Sequence, residues 1–192
     1  MSPQSMKGTL FVLTGPSGVG KTSVARELLA REERLRRVIT YTTRSSRPGE
    51  VDGRDYHFVS RSEFERMVAV GEMLEWADVY GHLYGQTIAD VERTLGEGHD
   101  VLLVLDPQGA KTIMESGRGA VSFFLDAPDE EILGRLKGRE TDTEEVIERR
   151  ARALAFDRSH ASFCSHRIQN TEGKMAEAVE AISGIMYNDR AL

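Results

Sequence analysis

Gly15-Pro16-Ser17-Gly18-Val19-Gly20-Lys21-Thr22 combines residue types suited to gripping a polyphosphate. The run fits G-x-x-x-x-G-K-[ST] without a mismatch. Glycines let successive backbone N–H groups turn inward around phosphate oxygens, and the start of a following helix adds partial positive charge. In such a loop Lys21 reaches the β- and γ-phosphates, and the Thr22 hydroxyl ligates Mg²⁺. All of Gly15, Pro16, Ser17, Gly18, Val19, Gly20, Lys21 and Thr22 are therefore candidate contacts to a nucleoside triphosphate such as ATP. An incidental glycine-rich turn is the plain alternative, and it would not require the Lys-Thr pair.

The motif has its chemistry only between a strand and a helix, and the neighbouring sequence supplies both. Leu10–Leu13 is a short apolar run, and 21–31 places Val24, Leu28 and Leu29 on one helical face. Further strands are expected at 38–41, 56–59, 73–79 and 83–84, with a turn at Gly81, and buried ones at 101–105 and 120–125. A last, weak strand is expected at 166–168. Helices are expected at 88–95, 108–114, 130–137 and 174–187. Ser60 with Glu63 predicts a capping box for a helix that ends before Gly71. Strands alternating with helices predict an α/β fold around a mainly parallel sheet, interrupted by a β-rich insertion over 38–86. Trp76, in an apolar strand, reads as a core residue.

The chain has 192 residues, enough for one compact unit with a proper core, and 40% of them are hydrophobic. No apolar run approaches the roughly 20 residues of a membrane span. A secretory leader is not expected at 1–13, and a single cysteine, Cys164, excludes an internal disulfide. The cytoplasm is the expected compartment. The net charge of −6 argues against broad nucleic-acid binding, which needs a basic field. Twenty of the 25 basic residues are arginine, the side chain suited to bidentate phosphate recognition. The five histidines show no metal-ligand spacing.

Beyond the phosphate loop, the stretch from Thr42-Thr43-Arg44 through Arg47-Pro48-Gly49-Glu50 to Tyr56-His57-Phe58 closely resembles the signature of guanylate kinases. So do Leu74-Glu75-Trp76-Ala77, Tyr84-Gly85 and Asp106-Pro107-Gln108-Gly109, in matching order and spacing. The resemblance runs from Leu10 to about Asn170. It implies a nucleoside-monophosphate-kinase fold with a core (about 1–37, 87–138 and 153–192), a GMP-binding insertion (about 38–86) and a mobile lid (about 139–152). It implies transfer of a phosphoryl group from ATP to GMP, with Mg²⁺. By position, Arg44, Arg47, Tyr56 and Tyr84 would hold the GMP phosphate, and Thr40, Glu75, Gln86 and Asp106 would complete the acceptor site. Arg135 and Asn170 would lie near ATP, and the lid residues Arg139 and Arg150 would join Lys21 and Arg44 in stabilising the transferring group.

A carboxylate at Glu75 suits guanine, whose edge offers adjacent N1–H and N2 donors, whereas adenine would oppose it with a lone pair. Asp106 also reads simply as the N-cap of the next helix. Four positions depart from the family pattern: Ser46 for proline, Gln86 for a small hydroxyl residue, Val104 for the first acid of an Asp-x-Asp pair, and Glu140 for a lid glycine. Two other functions stay open on the sequence: a non-catalytic protein-binding module, and a kinase for another phosphorylated molecule such as a ribose bisphosphate. The oligomeric state, monomer or homodimer, is also open.

Overall fold

A computed structural model describes residues 7–79, 81–137, 152 and 154–187. The lid positions Arg139, Glu140 and Arg150 lie outside the described residues. Two compact units divide the chain, one made of residues up to 9 with 36–101, the other of 10–35 with 102 onward.

The unit holding the phosphate loop is built on strand β1 (Leu10–Thr14), buried throughout. Its apolar run has no polar alternation because neither face meets water. The five-stranded sheet follows the order β2 (Leu35–Arg36), β7 (Asp100–Val104), β1, β8 (Val121–Asp126), β9 (His166–Gln169). β1 with β8 and β8 with β9 pair in parallel. Helix α1 (Lys21–Arg31) turns Val24, Ala25 and Leu28 inward. They meet Phe11, Leu13, Phe123 and Leu125 from the sheet, with Val179, Ile182 and Met186 from the last helix, Met175–Tyr187.

The other unit carries a four-stranded mixed sheet of order β4 (His57–Phe58), β3 (Tyr41–Thr42), β6 (His82–Thr87), β5 (Met73–Val79). β3 runs parallel to β4, and β6 is antiparallel to both β3 and β5 and leads into helix α3 (Ile88–Gly96). The strand expected at 38–41 is displaced: pairing falls on Leu35–Arg36 and Tyr41–Thr42, and buried Val38 lies between them. Helix α2 (Arg61–Ala69) starts as expected, since Ser60 Oγ accepts the Glu63 N–H at 3.1 Å. The Glu63 carboxylate is turned instead to Arg66, at 2.9 and 3.0 Å.

Phe123 has no exposed surface and packs its ring on Phe11 (6.1 Å) and His166 (5.6 Å). Phe123→Ala should lower unfolding free energy by about 3–5 kcal/mol, as a large cavity in a close-packed core does. Urea denaturation measures it, and a loss under about 1 kcal/mol would contradict tight packing around this ring.

Candidate active site

The chain reverses between β1 and α1 by placing Gly15, Gly18 and Gly20 at positive φ (139°, 86° and 100°). Space matters as well as torsion. A Cβ on Gly15 would lie 2.2 Å from the Leu125 carbonyl oxygen, and one on Gly20 would lie 2.6 Å from the Asn170 amide nitrogen. Gly20 is the N-cap of α1, and no side chain caps that helix end. Its first N–H groups are therefore left for an anion.

Lys21 folds back over the loop, its Nζ donating to the carbonyls of Gly15 (2.6 Å) and Pro16 (3.0 Å). Desolvation lowers its pKa from 10.5 to about 8, against the opposing pull of the Asp157 and Asp106 charges. Asp157 answers in kind: burial raises its carboxyl pKa, while it accepts a hydrogen bond from the Ser17 backbone N–H. The neighbouring Arg158 is fixed to Asp126 (3.0 Å), to the Ala127 carbonyl (2.7 Å) and to Asp129. Asp106 caps helix α4 (Pro107–Glu115), with Oδ1 accepting from Gly109 N–H at 2.8 Å.

Arg135 and Asn170 bind the loop itself. Asn170 Nδ2 donates to the Val19 carbonyl at 2.7 Å, and Arg135 Nη1 donates to the same oxygen at 3.3 Å. Thr22 is exposed at the head of α1. No group of three or more His, Cys, Asp or Glu that could hold a metal occurs among the described residues. The hydroxyl of Thr22 is a hard oxygen donor that suits Mg²⁺ sharing its shell with phosphates, not a cage made of protein alone.

In the mixed-sheet unit, the pleat gathers the other candidates. Glu75 pairs with Gln86, Ala77 with Tyr84, and Tyr84 with Thr42. Directly opposed residues share a face, so Glu75, Gln86, Tyr84 and Thr42 lie on one side. Glu75, Gln86 and the adjoining Thr40 are buried, at 8%, 7% and 8% exposure. Gln86 Nε2 donates to Thr40 Oγ1 at 3.0 Å, and its Oε1 is buried without a partner.

The opposite face takes Trp76, Gly85, Tyr41 and His57. Trp76 is 46% exposed and is not core. The apolarity of its strand says nothing about which face a residue joins. Gly85 makes room beneath it, since a Cβ there would come within 2.9 Å of Trp76 Cβ and 2.5 Å of the Glu75 carbonyl oxygen.

Arg44 is held by Glu50 through two bonds of 2.9 and 3.0 Å, with its guanidinium 5.3 Å from the Tyr56 ring centre and 5.8 Å from that of Phe58. It also bonds Tyr84, and the Glu50 contact drives its pKa further up. In turn Arg44 holds the Glu50 carboxyl below its usual range. Glu50 also accepts the Arg47 N–H at 2.7 Å, while the Arg47 side chain is exposed. The Tyr56 and Tyr84 rings meet edge-on at 6.2 Å.

The structure thus gathers Thr40, Arg44, Tyr56, Glu75, Tyr84 and Gln86 in one unit, and the loop, Arg135, Asn170 and Asp106 in the other. Sequence reasoning missed Glu50, Asp157 and Glu131, each paired with a cation it did single out. For Glu50 a signal existed, an acid three residues after Arg47 in one tight loop; Asp157 gave none, being distant in the chain.

The guanylate kinase family profile matches residues 7–188. A guanylate kinase of Thiobacillus denitrificans is 43% identical over 173 residues, covering 90% of this chain and 83% of the relative. One of Geobacter sulfurreducens is 40% identical over 185 residues, covering 96% and 90%. The crystal structure of guanylate kinase from Anaplasma phagocytophilum superposes with a TM-score of 0.72 at 32% identity, over 96% of this chain and 87% of that one. A glycine loop with an open helix end, a lysine over it, and a sheet face carrying a buried carboxylate are thus features of a chain that belongs to the guanylate kinase family.

Proposed function

We propose that this chain transfers the γ-phosphoryl group of ATP to GMP, giving ADP and GDP, with dGMP a further acceptor. The observation that carries the reading is one sheet face on which a buried carboxylate, Glu75, lies beside Tyr84, itself bonded to Arg44. A carboxylate for the guanine edge and a guanidinium for the phosphate are the two groups a GMP site needs. A ribose bisphosphate lacks the adjacent N–H donors that a carboxylate at Glu75 suits, and a protein-binding module has no use for the loop around Lys21. Assaying ATP consumption with GMP, dGMP, AMP, UMP and a ribose bisphosphate tests this. GMP should be the best acceptor by orders of magnitude, and turnover of the ribose bisphosphate alone would overturn the assignment.

In this mechanism the loop N–H groups from Ser17 to Thr22 cradle the donor phosphates and Lys21 offsets their charge. Arg44, Arg47, Tyr56 and Tyr84 hold the acceptor phosphate, while Thr40, Glu75, Gln86 and Asp106 surround the base. Mg²⁺, held by Thr22 and the phosphates, would supply charge neutralisation at the transferring group. Arg139 and Arg150, in the lid at 139–152, act on the same charge, and 38–86 forms the acceptor-binding insertion. Little covalent chemistry falls to the protein, so its contribution is positioning and electrostatics. The cytoplasm, where both nucleotides are available, is the compartment we assign.

Lys21 makes the donor site sensitive to pH. With a folded pKa near 8 against 10.5 unfolded, the unfolded chain binds the extra proton between those values, so this group's burial cost diminishes as pH rises through the window. Donor phosphates favour the charged amine. At about pH 8.5, ATP binding should therefore take up most of a proton, and at pH 7 only about a tenth of one through this group. Calorimetry in buffers of different ionisation enthalpy reads the uptake. It should vanish in Lys21→Met, and equal uptake in both proteins would show that Lys21 is not the group.

Glu75→Gln should replace an acceptor by a donor facing guanine, and relieve the clash with adenine N1. The ratio of kcat/KM for GMP over AMP should fall by roughly tenfold or more, the cost of unpaired polar groups in a closed site. An unchanged ratio would mean that guanine is read elsewhere.

A further inference from the structure

We propose that Glu131 is a positioning residue for the phosphoryl donor, aiming a backbone N–H of the phosphate loop through Arg135 and Asn170. The inference rests on the donor-site reading above and assigns those two residues a task other than contact with the base.

The Val19 carbonyl receives two side-chain donors, Asn170 Nδ2 at 2.7 Å and Arg135 Nη1 at 3.3 Å. In a trans peptide the carbonyl and the following N–H point in opposite directions. Holding Val19 O from one side therefore directs the Gly20 N–H to the other. Gly20 sits at φ 100°, in a region where a glycine peptide reorients at little cost, so the loop's own torsions do not fix that direction. The two external donors do.

One carboxylate holds both. Glu131 Oε2 accepts from Arg135 Nη2 at 3.0 Å, one helical turn along α5 (Asp129–Lys137). It also accepts the backbone N–H of Glu172 at 2.6 Å, which ties down the segment carrying Asn170. Arg135 Nη2 closes the arrangement by donating to the Asn170 carbonyl at 3.0 Å. Arg135 and Glu131 also line a cavity of about 500 Å³ with Glu130, Gly134 and Glu172. A base resting there on Arg135 is the competing explanation of any effect on ATP.

Tripolyphosphate separates the two, because it has phosphates and no base. Affinities for ATP and for tripolyphosphate would be measured by calorimetry on the full chain, wild type against Glu131→Ala and Glu131→Gln, with KM for GMP as the internal control. Glu131→Ala should weaken both ligands by a similar factor of roughly tenfold, a charged hydrogen bond's worth. KM for GMP should stay unchanged, and Glu131→Gln, which keeps one acceptor oxygen, should recover part of the loss. Weakened ATP with unchanged tripolyphosphate would overturn the proposal in favour of base contact. Unchanged affinity for both, or a wild type that does not bind tripolyphosphate, would overturn it as well. Should Glu131→Ala not fold, the milder Glu131→Gln carries the same comparison, expected to show a smaller parallel loss. Since the ATP and tripolyphosphate affinities are read without turnover, a wild type inactive on GMP would sink the kinase assignment, remove only the KM control and leave this comparison standing.

Discussion

A glycine turn whose following helix start has no side-chain cap must have its carbonyls secured by other elements, and much of this molecule follows from that constraint. Lys21 takes the carbonyls of Gly15 and Pro16, and Asn170 and Arg135 take that of Val19. Those donors come from α1, from the residue after β9 and from α5, elements far apart in sequence. The parallel sheet delivers them: β8 and β9 bring the ends of their strands alongside β1, where the loop begins. Gly15 fits because its Cα lies against the β8 carbonyl of Leu125. The loop is local in sequence, but its shape is held by the whole unit.

Arg44 and Lys21 each have a carboxylate beside them. Arg44 is clasped by Glu50, and Lys21 has Asp157 near it, bonded to the loop amide of Ser17. A charge taken out of water needs such a partner, or it loses its proton or its position. Glu50 grips the Arg44 guanidinium directly, whereas the Asp157 charge offsets part of the desolvation that lowers the Lys21 pKa.

What could be read from the sequence was what is written locally. The phosphate loop, the Ser60 cap and the Asp106 cap depend on residues within a few positions of each other, and all three are found in place. The buried strands at 100–104 and 121–126 are mostly apolar, broken only by Asp100, Ser122 and Asp126, and nearly as plain. Two-residue strands such as Leu35–Arg36 and Tyr41–Thr42 are too short to show a period, and the strand expected at 38–41 overlaps the observed pairing only at Tyr41. Trp76 failed for another reason. Apolar residues adjacent in a strand face opposite ways, and only the pairing of Trp76 with Gly85 reveals which side it takes. Asp157 is a contact of the folded chain, for which charge composition is no guide, whereas Glu50 and Glu131 lie within six and four residues of the arginines they hold.

The outward placement of Trp76 gives the protein a built-in optical reporter. It is the chain's single tryptophan, half in water, and its backbone is continuous with that of Glu75, whose side chain takes the other face of the same strand. Indole emission responds to local polarity, so a shift of this strand would register without any added label. Because the ring stands on the face away from Glu75 and Gln86, the emission would follow the movement of the sheet and not quenching by a stacked base.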